Sequence, residues 1–336
     1  MADYDTHLAR NALRLPRLCR ALLLLEAGTG RKSEMEQMNQ LDMIATRESK
    51  QFIGEFAWPT VLLVLCVSLV CVVTPLLVKA AILPLWLGVL IMALNTYGAY
   101  TALHEAVHGT ISGRHTGLRW VNEAVGYCAA CILGMPLTGH RHEHLTHHRS
   151  TNDPAGDPDY VISEMCRSPW HGLRSSALFT YNQLSFFHRY RRDTAPAEQE
   201  RRFWLEVLLS WTLRLAFIAW LGWDIGLWLL IGGPLLGSVI TQYLFSYLVH
   251  LPHEAVGRYE NTATYLVPGW PGKWVTFAWG YQNYHSVHHL FPRVPFYRYP
   301  ALFKRIQPIM LSRGAPVYQL GRSGWSLLKP AEQSFE

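Results

Sequence analysis

The sequence predicts an all-α integral membrane protein in which four transmembrane helices, paired as two hairpins, carry a cytoplasmic helical cap with a histidine-rich metal site. Three observations predict it. Half of the 336 residues are hydrophobic and only 16% are charged, and the apolar residues come in runs long enough to cross a bilayer. Eight of the sixteen histidines fall into three clusters of repeating spacing, HEAVH (His104, His108), HLTHH (His144, His147, His148) and HSVHH (His285, His288, His289). Arginines crowd one loop between apolar runs, which orients the spans.

The N-terminal segment, residues 1–50, opens MADYDTHLARN, with no basic start leading at once into an apolar core, so no cleavable signal peptide is expected. Its stretch from Asn11 to Leu25 mixes arginines with leucines, as either an interfacial amphipathic helix or an ordinary surface helix would. The first span is the uncharged run Ala57–Val78, and the second, Leu85–Leu103, follows Lys79 and Pro84. Val121–Leu137 is apolar enough to tempt a fifth crossing, but one more crossing would put the first two histidine clusters on opposite faces, so it is read as a re-entrant or interfacial segment beneath the site. The third span, Phe203–Trp223, carries Glu206 and Arg214; the fourth, Ile225–Val249, contains a Gly232-Gly233-Pro234 break that could kink it. The first three units of this reading are residues 1–50, a membrane domain over 51–320 and a tail over 321–336.

Arg189, Arg191, Arg192, Arg201 and Arg202 lie before the third span, and the positive-inside rule makes that loop cytoplasmic. Parity then brings all three clusters to the same cytoplasmic face, on a cap built from residues 104–200 and 254–320. Nucleic-acid binding is excluded as the meaning of the net charge of +6, because the basic patch abuts a span and no nucleic-acid module is visible.

Residues three and four apart share a helix face, so each cluster can aim two or three imidazoles at one point. A random HxxHH is expected about 0.04 times in a chain of this composition, too rarely to explain two copies. One zinc takes four ligands or three plus water, so eight imidazoles divide naturally between two metals. Imidazole suits iron, copper, zinc and nickel alike, and ligand type does not choose among them. HEAVH also satisfies HExxH, the zinc-protease helix in which the glutamate is the base, but that reading leaves two clusters unused. Cys128 and Cys131 form a lone CxxC in an apolar stretch and are read as small buried apolar residues. His140 and His142 lie off the cluster repeat and are read as surface histidines; the six cysteines form no secreted framework.

HEAVHG, HLTHHRSTNDPAGDPDY and QNYHSVHHLFPRVPFY resemble the three histidine boxes of the membrane fatty acid desaturase superfamily, with the hydrophobic hairpin between the second and third boxes. The resemblance implies two iron ions held by His104, His108, His144, His147, His148, His285, His288 and His289, dioxygen as co-substrate and oxidation of an unactivated C–H bond of a lipid. A ninth ligand from the end of the last span is implied; of His250 and His253, the LPH that ends in His253 and precedes the third box resembles the β-carotene ring hydroxylase branch and selects His253. The first box often carries aspartate where this chain has Glu105, and Asp157 is the candidate in the NDPAGDPD run for a hydrogen bond to a ligand imidazole. Fatty-acyl desaturation is the expected reaction, with carotenoid ring hydroxylation as the alternative. The remaining cysteines lack iron–sulfur spacing, so a separate electron donor (ferredoxin, rubredoxin or small cytochrome) is implied, together with a lipid substrate drawn from the bilayer.

Overall fold

The computed structural model describes residues 31–329. The expected helix over Asn11–Leu25 lies outside the described residues, as does His7. The chain divides into two compact units, Met1–Arg47 and Glu48–Glu336. Helix α1 (Arg31–Ser49) carries the described part of the first unit and ends in the second.

Four helices of the second unit are long and apolar enough to cross a membrane: α2 (Trp58–Lys79), α3 (Leu85–Val107), α7 (Ala197–Leu221) and a composite fourth, Trp223–His250. Between them lie α4 (Arg119–Leu133), α5 (Leu137–Ser150) and α6 (Pro169–Tyr190). Each apolar helix starts where its sequence favours a start. Pro59 sits in the first turn of α2 and Pro84 immediately before α3, positions where the missing N–H leaves nothing unpaired. Their outer faces are leucine and valine left exposed, including Leu62, Leu65, Leu69, Leu208 and Leu209, as a lipid solvent requires.

The Val121–Leu137 segment forms the fifteen-residue helix α4, which is not among the four membrane-length helices. Gly134 stops it at φ +74, the left-handed conformation that glycine adopts without a Cβ penalty. Pro136 then restarts the chain as α5, the helix of the second cluster.

The fourth span is the irregular one. It runs as α8 (Trp223–Leu227), a π turn (Trp228–Gly232), α9 (Gly233–Thr241), a second π turn (Gln242–Tyr247) and a 3-10 turn (Leu248–His250). The Gly-Gly-Pro break is absorbed by the first π turn. Gly233 and Gly237 form a GxxxG face that lets α9 approach α3 closely, the way small residues pack membrane helices: a Cβ on Gly237 would collide with the Ala93 carbonyl oxygen, and one on Gly233 would lie 2.7 Å from Met92 Cβ. Carbonyls around the second π turn find partners elsewhere: Leu244 accepts from Trp279 Nε1 at 3.0 Å and Leu248 from Tyr265 Oη at 3.0 Å.

Beyond the fourth span come α10 (Trp270–Ala278), the six-residue α11 (His285–Leu290) and α12 (Tyr299–Ser312). Tyr299, Leu302, Phe303, Ile306, Ile309 and Met310 recur at helical spacing on the buried face of α12. The all-α expectation needs one amendment. Strand β1 (Thr264–Leu266) pairs in parallel with β2 (Val317–Gly321), which pairs antiparallel with β3 (Gly324–Leu327). The boundary expected at 320/321 therefore falls inside a hairpin, because a tight turn at Arg322–Ser323 pairs residues on either side of it.

Candidate metal centre

The last turn of α3 carries His104 and its C-cap is His108, α5 carries His144, His147 and His148, and α11 carries His285, His288 and His289. In each, spacing of three or four stacks imidazoles on one face. Packed together, the three faces sort into two groups. His104, His108, His144, His148 and His288 each offer a ring nitrogen within 4.8 Å of all the others, and so, separately, do His147, His250 and His289. His285 joins the second group, its Nε2 3.1 Å from that of His289 and its ring 4.9 Å from that of His250. The groups touch where the His148 and His289 rings stack at 4.2 Å.

The eight cluster histidines thus come together. His253, expected as the ninth, does not join them. Its ring centre is 6.4 Å from that of His250, it packs on Tyr247 at 5.2 Å, and its Nε2 is buried without a partner. His250 occupies the place instead, its Nε2 3.2 Å from that of His147 and 3.3 Å from that of His289. The helix ends at His250 because Pro252 cannot supply an N–H, and His253 turns away with φ +65.

Nitrogens bound to one ion at about 2.1 Å and at right angles are about 3.0 Å apart. The observed separations match: His108 to His144 is 3.0 Å, His144 to His148 3.1 Å and His148 to His288 2.9 Å, all Nε2 to Nε2. Proton placement makes the same point. In the second group every Nδ1 faces an acceptor: Asp157 Oδ1 for His147 (2.8 Å), the Ser246 carbonyl for His250 (2.6 Å), Gln282 Oε1 for His285 (2.9 Å) and Thr151 Oγ1 for His289 (3.3 Å). The Thr151 hydroxyl already donates to the His147 carbonyl, so it can only accept there. With the ring protons at Nδ1, the Nε2 lone pairs of His250, His285 and His289 converge, and the His147 Nε2 joins them once its second proton is lost. In the first group both nitrogens of fully buried His104 lack a hydrogen-bond partner among the described residues. Such an arrangement is stable around cations and costly without them, so the residues present fit two metal ions.

Electrostatics agree. Burial holds His108 down to about 3 and His144, His148, His285, His288 and His289 well below the ordinary imidazole range, which keeps them neutral and able to ligate. His147 is the exception. Burial pushes it down, but the Asp157 and Asp159 carboxylates outweigh that and hold it up at about 9, so a metal there displaces a proton.

Asp157 is the anchor of the NDPAGDPD turn. Besides His147, it accepts from the Asn152 and Asp159 backbone N–H groups at 2.8 and 2.9 Å. Glu105 behaves differently: fully buried, it accepts from Thr110 Oγ1 at 3.0 Å and touches no imidazole among the described residues. Tyr299, whose hydroxyl lies 2.9 Å from His288 Nδ1, carried no signal in the sequence, being eleven residues away. Gln282 was legible only as one turn before His285.

His140, expected at the surface, is fully buried in a polar knot of its own. Its Nδ1 meets Gln183 Oε1 at 2.6 Å and Glu143 Oε2 at 3.3 Å, while burial raises Glu143 to about 7. His142 stays half-buried against Gln199 at 2.7 Å. Cys128 is exposed and beside Ser68 Oγ, and neither it nor Cys131 is in a disulfide.

Beside the histidines lies a cavity of about 290 Å³, mostly apolar, lined at the near end by Tyr100, Gln183 and Ser246 and at the far end by Arg214, Ile231 and Pro234. Tyr100 is one turn before His104, and Ser246 holds His250. Two other clefts reach partly exposed histidines: one joins His108 to Arg114, Arg119, Arg141 and Arg293, the other His148 and His289 to Arg149 and Arg258.

The chain is similar to a sphingolipid delta(4)-desaturase of Drosophila melanogaster, with 28% identity over 61% of this chain and 60% of that protein. It is also similar to a chloroplastic omega-3 fatty acid desaturase of Sesamum indicum (25%, over 62% of this chain and 51% of that protein) and a delta(5) fatty acid desaturase of Caenorhabditis elegans (22%, over 64% and 55%). It thus spans little more than half the length of these curated relatives. The fatty acid desaturase family matches residues 80–321, well over half the chain and all three histidine clusters. The chain belongs to that family.

Proposed function

We propose that the protein is a membrane di-iron desaturase that uses dioxygen, two electrons and two protons to remove two hydrogens from neighbouring carbons of a lipid chain, releasing two waters. The observation that carries this reading is the pair of converging imidazole groups, five and four strong, beside an apolar cavity. His104, His108, His144, His148 and His288 would hold one iron and His147, His250, His285 and His289 the other. Bound iron supplies the oxidising power for C–H cleavage; the protein supplies everything that directs it.

His147 is aligned by Asp157, His250 by the Ser246 carbonyl, His285 by Gln282 and His288 by Tyr299, contacts of the kind that orient ligand rings. The cavity wall holds the chain with its carbons passing Tyr100 and Ser246 and keeps water away from them. We place two helix hairpins in the membrane and the histidines at the cytoplasmic face, as the arginines before α7 favour. The exposed edges of His108, His148 and His289 open into arginine-lined clefts, which favours a separate, acidic electron-donor protein. The names of the relatives favour desaturation of a fatty-acyl or sphingoid chain. With His253 away from the other histidines, one of the three stretches that resemble the carotenoid ring hydroxylases, LPH, loses its ligand role, and Glu105, bonded to Thr110, is not placed as a protease base.

Expression in a host whose lipids are then resolved by mass spectrometry tests the reaction. Lipids that have lost two hydrogens support it; lipids that have gained oxygen, or a purified protein holding one zinc and no iron, overturn it.

A further inference from the structure

Two charged side chains lie well inside the apolar helices. Glu206 is satisfied locally, accepting from the Thr138 backbone N–H at 2.8 Å and its hydroxyl at 2.7 Å. Arg214, two turns further along α7, is not paired with it. Its guanidinium lies against Gly134, where a Cβ would sit 3.1 Å from the guanidinium carbon. It donates to the carbonyls of Leu230 (3.0 Å), Cys131 (3.1 Å) and Ile132. The last two are carbonyls of the final turn of α4, that of Cys131 shared with the Gly134 N–H and Ser210 Oγ, and they form the negative end of a helix dipole, which orients the cation but brings it no counter-ion. Three of the five N–H donors are used in this way, and the residue lines the cavity.

That cavity is long. From Ser246 to Ile231 the fourth span lines it over fifteen residues, about 22 Å of helix. The hydroxyls of Thr96, Thr180 and Thr241 along it donate to their own helices, at the Met92, Ser176 and Gly237 carbonyls, and so leave apolar wall. Among the described residues, Arg214 is the one charged residue in the lining. Trp220 and Trp223, six and nine residues beyond it where α7 ends and the fourth span begins, are exposed, the placement expected of residues at a membrane interface, on the side away from the histidines. A cation with no counter-ion among the described residues, at the end of an apolar slot away from the histidines, is a place for an anionic head.

We propose that Arg214 is the head-group site of the cavity: it binds the oxyanion of an anionic lipid, a fatty-acid carboxylate or a phospholipid phosphate, while the chain runs along the fourth span toward Tyr100 and the histidines. The proposal rests on the desaturase reading and adds to it the class of substrate. It also makes the separation between Arg214 and the histidines the ruler that sets which carbons are reached, counted from the anionic end.

The test is competition binding to the purified full-length protein in detergent, with stearic acid, its methyl ester and a distearoyl phosphatidic acid as probes. The acid or the phosphatidic acid binds at least about tenfold tighter than the ester, the scale of one hydrogen bond to a charged group. Arg214→Gln abolishes that difference, and Arg214→Lys, which keeps the charge without the fork, retains part of it. Preference for the free acid identifies carboxylate as the head, and preference for the phosphatidic acid identifies phosphate. Equal binding of all three by the unaltered protein overturns the proposal, and this comparison needs no variant to fold. Preserved discrimination in Arg214→Gln overturns it as well. Iron content separates the two readings. Two irons with no acid preference leaves the desaturase and removes the head-group site; acid preference without iron leaves a lipid site and removes the desaturase.

Discussion

The Nε2 atoms of His250 and His147 face each other at 3.2 Å, each ring braced from behind, by the Ser246 carbonyl and the Asp157 carboxylate respectively. Both Nδ1 positions are committed to those acceptors, so the two Nε2 atoms share one space, and the His147 Nε2 can ligate there once the second proton that Asp157 and Asp159 hold on the ring is displaced. That geometry suits a metal ion.

His250→Ala therefore lowers iron content from two towards one and reduces turnover by more than the 10- to 100-fold typical of a lost outer contact. His253→Ala keeps both irons. Iron measured by elemental analysis on both purified variants decides it, and the reverse ranking would return the ligand role to His253.

Asp157→Asn keeps the shape of the NDPAGDPD turn but removes the carboxylate that pulls the His147 proton to Nδ1. Metal affinity or activity falls by about 10- to 100-fold. Glu105→Gln, at a residue that meets Thr110 and no imidazole, leaves iron content unchanged. Titration with ferrous iron compares the two.

The metal-free protein is acid-labile. Burial depresses six cluster histidines, His108 to about 3, against an unfolded value of about 6.5. Below about 6.5 the unfolded chain binds protons that the folded chain refuses, so stability is full above that pH and drains away as pH falls toward the folded values. His147, raised to about 9, works the other way and loses its contribution as pH rises through 9, but it is one against six. Thermal unfolding of chelator-treated protein thus shows Tm falling steadily from pH 7 to pH 5; a flat profile would contradict the buried neutral cluster.

Gly237→Val sets a branched side chain against the Ala93 carbonyl and Thr96, where even a Cβ has no room. Overpacking of this kind costs about 1–3 kcal/mol. Because α9 leads into the turns that carry His250, both thermal stability and iron retention drop, measurable on one detergent-solubilised sample.

In a cysteine-free background, single reporter cysteines at Ser168 and Asp224 are labelled from opposite sides of the membrane. Labelling of both from one side would refute the four-span arrangement with its histidines on the cytoplasmic face.

The sequence by itself determined the four apolar helices and the eight cluster histidines, because both are local. A run such as Ala57–Val78 states its own length, and spacings of three and four state which imidazoles share a face, wherever the helix is later placed. The short helix over Arg119–Leu133 was foreseeable in kind from the parity of the clusters, and Asp157 from the turn chemistry around it. Tertiary structure decided what depends on accumulated phase and on distant partners. Two π turns shift the fourth span off the regular 100° per residue, so no helical projection of YLVHLPHE could choose between His250 and His253. Tyr299 meets His288, Arg214 meets the end of α4, and β1 meets β2 across separations that leave no periodic trace. The burial of His140 followed from α6 and Gln183 closing over it, a contact made only once the helices had packed.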